Sequence, residues 1–268
     1  MRTVLLTAVF VAFAVPVLAQ DFNKGVEAYR TGDYVTAMNE WRPLAEQGNM
    51  VAQYALGVMY DLGEGVSKDP KQAVKWYSLA AEQGYALAQY NLGIIYEIGE
   101  GVLQDTEQAV KWYSRAAEQD YALAQYALGV MYDLGEGVSK DPKQAIIWYR
   151  HAAEQGYALA QYALGVIYEK GEGVLQDHQE AVKWYRQAAG QGYALAQYAL
   201  GVMYDKGLGV LQDQILAHMW YNLGAANGND FGGKNRDIIA QKMSSEDISK
   251  AQALAAKCIK SDYEDCGA

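Results

Sequence analysis

Carboxylates and tyrosines at fixed spacing are the residues of this chain best suited to chemistry. Asp61, Glu97, Asp133, Glu169 and Asp205 stand 36 residues apart, and Tyr54, Tyr90, Tyr126, Tyr162 and Tyr198 precede them by seven. Seven residues are close to two helical turns, so each tyrosine shares a helix face with its acid. Gly57, Gly93, Gly129, Gly165 and Gly201 fall between the members of each pair. Helices of this kind laid side by side make a row of phenols and carboxylates with a low floor at the glycines. Such a groove takes an extended peptide or another chain that carries positive charge. The same residues also fit a plainer role, with tyrosine packed between repeats and the acid left as solvated surface. Helical stripes are more often core than site.

Other chemistry has little support in the spacing. The chain contains no Ser-x-x-Lys, no Gly-x-Ser-x-Gly and no His-Glu-x-x-His, which removes the usual serine-nucleophile and zinc-hydrolase patterns. His151, His178 and His218 fall at different phases of the 36-residue period. They read as helix-surface residues, His178 as the first residue of a helix, and no metal site or cofactor is expected. Gly99-Glu100-Gly101 follows a helical pattern rather than a strand and lacks the further glycine and the lysine of a phosphate loop. The two cysteines, Cys258 and Cys266, are even in number and close together. In an oxidising compartment they predict a local disulfide; the alternative is two free thiols on a loose tail.

The elements that would position the tyrosines and acids come from one repeated unit. Asn49–Gly84, Tyr85–Asp120, Tyr121–Gly156, Tyr157–Gly192 and Tyr193–Gly228 align without insertion or loss. Periods in this range signal stacked arrays. In the first half of a unit, Ala88, Leu92 and Tyr96 recur at i, i+4 and i+8 beside Ile95, which predicts a helix. Gly93 inside it costs about 1 kcal/mol relative to alanine; its recurrence predicts close helix–helix approach. Gly99-Glu100-Gly101 then predicts a loop with positive φ, and Val102 a plug for the gap between helices. The second helix begins with a capping pattern, Asp69-Pro70-Lys71-Gln72, echoed by Asp105 with Gln108, Asp141 with Gln144 and Asp177 with Glu180. In the fifth unit the pattern fails, because Gln214-Ile215-Leu216 follows Asp213. Gly84, Gly156 and Gly192 predict left-handed helix ends, with Asp120 in the same place as a tolerated exception.

The expected fold is therefore all-α, a right-handed α/α superhelix of stacked antiparallel helix pairs. Residues 21–48 read as a shortened N-terminal capping repeat, 49–228 as five full repeats, 229–257 as a C-terminal helical cap and 258–268 as a polar tail. A longer period is also visible. Gln53–Ala73 and Gln125–Ala145 are identical over 21 residues, while the units between share Gly-Val-Leu-Gln-Asp, so the array looks doubled as a 72-residue pair. With 22 basic and 32 acidic residues the net charge is −10. That argues against nucleic acid and anionic membrane surfaces as partners. Residues 1–19, with Arg2, an apolar run over Val4–Leu18 and Val17-Leu18-Ala19, have the layout of a signal peptide cleaved after Ala19. The expectation is a periplasmic or secreted protein with no integral membrane segment after cleavage.

The units resemble the Sel-1-like repeat family, a relative of the tetratricopeptide repeats. The resemblance rests on A-x-A-Q-Y-x-L-G-x-x-Y, G-x-G-V-x-x-D and A-V-x-W-Y-x-x-A-A-E-Q-G, over about Asp21–Gly228. It implies an α/α superhelix acting as a non-catalytic scaffold for protein or peptide partners. Some secreted, cysteine-rich members are linked to penicillin binding and β-lactamase activity, so a hydrolase of β-lactams or cell-wall peptides is an alternative. No repeat here contains cysteine, which sets this chain apart from that subset. A carbohydrate-binding envelope factor is a third possibility, permitted by the aromatic content.

Overall fold

The computed structural model describes residues 21–263 and 266, so the expected signal segment lies outside the described residues. Among the described residues there are fourteen α-helices and no strand. They divide into two compact bodies at Gln83/Gly84. The first holds α1 (Phe22–Arg30), α2 (Tyr34–Glu46), α3 (Met50–Leu62) and α4 (Pro70–Glu82). The second holds α5 (Ala86–Ile98), α6 (Thr106–Ala117), α7 (Ala122–Leu134), α8 (Pro142–Glu154), α9 (Ala158–Lys170) and α10 (His178–Ala189). It continues with α11 (Ala194–Lys206), α12 (Gln214–Ala226), α13 (Asp230–Ala240) and α14 (Ser245–Lys260). Within each body every repeat is a helical hairpin, and the second helix of one repeat packs on the first helix of the next.

The first helix of each repeat buries one narrow face. In α5 this is Ala88, Gln89, Leu92, Gly93 and Ile95, while Tyr96, expected on that stripe, is only half buried. Gly93 is there because a ring occupies the space. A Cβ would sit 2.3 Å from Cε1 of Tyr113. Gly57, Gly129, Gly165 and Gly201 seat Tyr77, Tyr149, Tyr185 and Tyr221 in the same way. In the capping repeat Trp41 takes this role against Gly25, and its indole N–H donates to the carbonyl of Phe22 at 3.2 Å.

The loop geometry follows the glycines. Gly135 and Gly137 both have positive φ, +79° and +67°. A Cβ on Gly137 would lie 2.2 Å from the carbonyl oxygen of Thr106, and Gly65, Gly173 and Gly209 likewise approach Tyr34, Pro142 and His178, so these loops rest on the start of the preceding repeat's second helix. The half-buried Val138 packs into the core beneath. The two loop types differ in one brace. Gln104, Gln176 and Gln212 donate to the carbonyls of Glu97, Glu169 and Asp205 at 2.6–2.8 Å. Lysine stands at this position in the Ser-Lys-Asp loops.

The helix caps are half as expected. Asp69, Asp105, Asp141 and Asp177 accept from the backbone N–H groups of the first turn. The reciprocal arm of a capping box is replaced: the N–H of Asp69 donates to the carbonyl of Tyr60 at 2.9 Å, and that of Asp141 to Tyr132 at 2.9 Å. This corrects the expectation for the fifth repeat. Asp213 caps α12 through the N–H groups of Ile215 and Leu216, and its own N–H reaches Tyr204 at 3.0 Å. Since the backbone already satisfies that group, losing the amide side chain at the third position removes nothing. Asp120 adopts φ +59°, the left-handed end that glycine provides in the other repeats.

The C-terminal cap is longer than expected. Helix α14 runs to Lys260, Cys258 is fully buried, and a disulfide joins it to Cys266. The hydroxyl of Tyr263 pairs with the side chain of Asn227 at 2.8 Å. Position 258 is therefore core rather than the start of a loose tail. His218 is another departure. It is 2 % exposed on α12 instead of on the surface, at a position that is buried in internal repeats as well, as Val110, Ile146 and Val182. Its phase is that of Val182, which already marked an apolar position.

A buried glutamine holds the repeats together. Gln161 donates to the carbonyl of Ala153 in the preceding repeat at 3.1 Å and accepts from the amide of Gln191 in its own at 2.8 Å. Gln53 does the same between Ala45 and Gln83, and Gln197 between Ala189 and Asn227. Replacing Gln161 by leucine removes one of the donors to the Ala153 carbonyl, which keeps the Gly156 N–H at 3.0 Å, and takes the acceptor from the Gln191 amide. The expected cost is about 1–3 kcal/mol, read as a lower midpoint in urea and faster amide exchange in α9 and α10.

His218 makes the second prediction. Burial is the main force lowering its pKa, Arg236 lowers it further, and Asp237 opposes both. The unfolded chain therefore takes up this proton first. Stability is full above about pH 6.5 and falls as pH drops from there toward the lower folded value. In His218→Val, melting temperature should decline less over this window than in the parent; parallel curves would refute the assignment.

Candidate functional site: a tyrosine and carboxylate row

The sequence-predicted tyrosines and acids do lie on one face of each repeat's first helix, but not around a low floor. The ring seated on each glycine fills that floor. Tyr90 packs against Tyr113 with ring centroids 5.7 Å apart, and Tyr54, Tyr126, Tyr162 and Tyr198 pack likewise on Tyr77, Tyr149, Tyr185 and Tyr221. A second contact extends the row across repeats. Tyr90 meets Tyr121, Tyr126 meets Tyr157 and Tyr162 meets Tyr193 edge to face at 5.2–5.4 Å. Phe231 takes the last place, beside Tyr198 at 6.3 Å. Tilted and edge-to-face pairs at this separation are attractive beyond their buried area.

Each acid is half buried beside the hydroxyl of the seated tyrosine. Tyr113 donates to Glu97 and Tyr185 to Glu169, both at 2.5 Å, and Tyr77 reaches Asp61 at 3.4 Å. Asp205 lies beside Tyr221 and accepts from Gln214 at 3.3 Å. Asp133 differs. Among the described residues no hydrogen bond or ion pair engages its carboxylate, and Tyr149, only 4 % exposed, makes no hydrogen bond through its hydroxyl. Asp61, also an aspartate, does reach its tyrosine, so the placement of the Asp133 carboxylate rather than its length leaves this pair open. Burial first, and the adjacent acid second, push the Tyr113, Tyr149 and Tyr185 hydroxyls well above the usual phenol pKa. These tyrosines stay protonated, as neutral hydrogen-bonding groups.

A cleft of about 270 Å³ opens on this face between the third and fourth repeats. Asp133, Tyr126 and Tyr149 line it from one side, and Tyr162, Tyr193 and Val166 from the other. Lys170 and Glu172, also at the cleft, pair with each other at 3.5 Å.

The seated tyrosines and the row Tyr121, Tyr157 and Tyr193 were not singled out from sequence. A usable signal existed, since a tyrosine stands 16 residues after every acid in the row. The histidines do not converge: the exposed His151 packs at a tilt beside Trp148, and His178 opens α10. Among the described residues no group of three His, Cys, Asp or Glu side chains is placed to hold a metal ion, and no helix is long and apolar enough to cross a membrane.

The model of the Sel1 repeat matches five times in succession, at residues 51–85, 86–121, 122–157, 158–193 and 194–229. The chain belongs to the Sel1 repeat family. Among solved structures it is similar to a Sel1 repeat protein from Oxalobacter formigenes, at 38 % identity and a TM-score of 0.76, covering 88 % of this chain and 95 % of that one. It is also similar to a protective antigen of uropathogenic Escherichia coli strains that displays an SLR fold, at 28 % identity and a TM-score of 0.53, covering 90 % of this chain and 69 % of that one. No curated protein matches. The fold class is thus the all-α solenoid of stacked helix pairs, and Sel1 repeat solenoids serve generally as protein-interaction scaffolds.

The open and closed pairs should differ in stability. Tyr185→Phe removes a donor from the half-buried Glu169 carboxylate and should cost about 1–2 kcal/mol. Tyr149→Phe removes a hydroxyl that has no partner and should change stability by less than about 0.5 kcal/mol. Chemical denaturation of the two variants beside the parent checks the contrast; equal losses would contradict the geometry.

Proposed function

We propose that this Sel1 repeat protein is a non-catalytic scaffold that docks protein or peptide partners outside the cytoplasm, along the tyrosine and carboxylate face of its first helices. The observation that carries the reading is the row itself: a cluster of phenol rings recurring from α5 to α9, with a carboxylate at the same place in each of these repeats. Such a face repeats along the array as an extended chain does, and it complements positive charge. The layout of residues 1–19 and the disulfide between Cys258 and Cys266 support an oxidising, extracytoplasmic setting. The row holds no nucleophile and base pair of the kind a β-lactam or cell-wall hydrolase requires.

Charge reversal on the face tests the reading. Partners recovered by crosslinking and affinity capture from an envelope fraction should be lost with Glu97→Lys combined with Glu169→Lys, while helix content is retained. Undiminished recovery would remove this face from consideration. Turnover of a chromogenic β-lactam that persists through further purification would overturn the non-catalytic assignment.

A further inference from the structure

We infer that the cleft between the third and fourth repeats is a socket for one lysine or arginine side chain of a docked peptide. The inference rests on the docking role proposed for this face and names the chemistry of one anchor point on it. A carboxylate row alone would not single out any repeat. Two observations do. Tyr149 is more than nine-tenths buried, lines the cleft and leaves its hydroxyl without a protein partner. Asp133, in the same cleft, has an unengaged carboxylate. In the neighbouring repeats the equivalent groups satisfy each other, Glu97 with Tyr113 and Glu169 with Tyr185.

The empty partnership calls for a donor. The Asp133 carboxylate accepts only, and the Tyr149 oxygen can accept as well, so a group with several N–H donors and positive charge satisfies both. The phenol rings of Tyr126, Tyr162 and Tyr193 around the cleft favour a cation further through their quadrupoles. An acidic side chain would meet Asp133 and Glu172 and be repelled. A neutral aliphatic one would fill space yet leave both oxygens unpaired. The single base at the cleft, Lys170, is held by Glu172 at 3.5 Å and does not occupy the role. A volume of about 270 Å³ accommodates an ammonium or guanidinium with part of its stem.

The test uses blocked glycine-rich pentapeptides whose central residue is lysine, arginine or norleucine, titrated into the isotope-labelled full chain and followed by amide chemical shifts. Lysine and arginine peptides should shift amides around Asp133 and Tyr162, and norleucine should not. Asp133→Asn should weaken that binding about tenfold, Tyr149→Phe about threefold, and Glu154→Gln, an equal charge change on an exposed part of α8, should leave it unchanged. Equal binding of norleucine, undiminished binding by Asp133→Asn, or no shifts at this cleft would each overturn the socket. Shifts at other carboxylates of the row, unaffected by Asp133→Asn, would overturn it while leaving the wider docking role standing. Tyr149→Phe keeps its ring on Gly129, so the test survives if Asp133→Asn folds poorly.

Discussion

A buried amide must find both of its partners, and in this chain that need sets the spacing of everything else. Gln161 gives its N–H to the last turn of the preceding repeat's second helix and takes an N–H from Gln191, just past the end of its own. The site is otherwise apolar, so a glutamine displaced by one residue would bury two unsatisfied groups. Leaving a buried polar group unpaired costs more than making the bond gains. The repeat length is therefore held rigid, and five units align without insertion.

With spacing held, the seat of the tyrosine on glycine does the next part of the work. The ring enters where a Cβ would collide at 2.3–2.6 Å. It fills the core and carries its hydroxyl to the exposed side of the same helix, beside the acid. One ring thus links the packing of the solenoid to the chemistry of its surface. The placement of the acid then decides whether the pair closes on itself, as with Glu97, Glu169 and Asp61, or stays available, as with Asp133. The doubling of the array sorts the acids only in part: the glutamates accompany Gly-Val-Leu-Gln-Asp loops, but Asp61 and Asp133 share the Ser-Lys-Asp loop and only Asp61 meets its tyrosine.

The ends solve a different problem. A stack exposes an apolar face at each terminus. At the N-terminus Trp41 replaces the seated tyrosine and closes on Phe22 and Tyr29. At the C-terminus α13 and α14 cover the last repeat, and the disulfide and Tyr263 fasten the chain after α14. His218, an ionisable group, stands in a buried position that the internal repeats give to valine or isoleucine. Solenoids read as nearly one-dimensional, with each repeat answering to its neighbours, and the terminal substitutions follow that logic.

Local rules were enough for much of this protein. Periodicity, the Asp-Pro starts, the paired loop glycines and the left-handed ends, Asp120 included, were legible because each depends on a few adjacent residues and on backbone sterics. The helix pairs and the all-α class follow from them, and so does the placement of Tyr126 and Asp133 on one helix face. What the row can do was not legible, because it depends on contacts between residues 16, 30 or more positions apart. Only the packed structure shows that a tyrosine from the second helix fills the glycine floor, that Gln161 ties one repeat to the next, and that Glu169 is engaged while Asp133 is not. Sequence spacing places side chains on a face, but whether a polar group there is satisfied or open is settled by distances of a few tenths of an ångström, which tertiary packing alone decides.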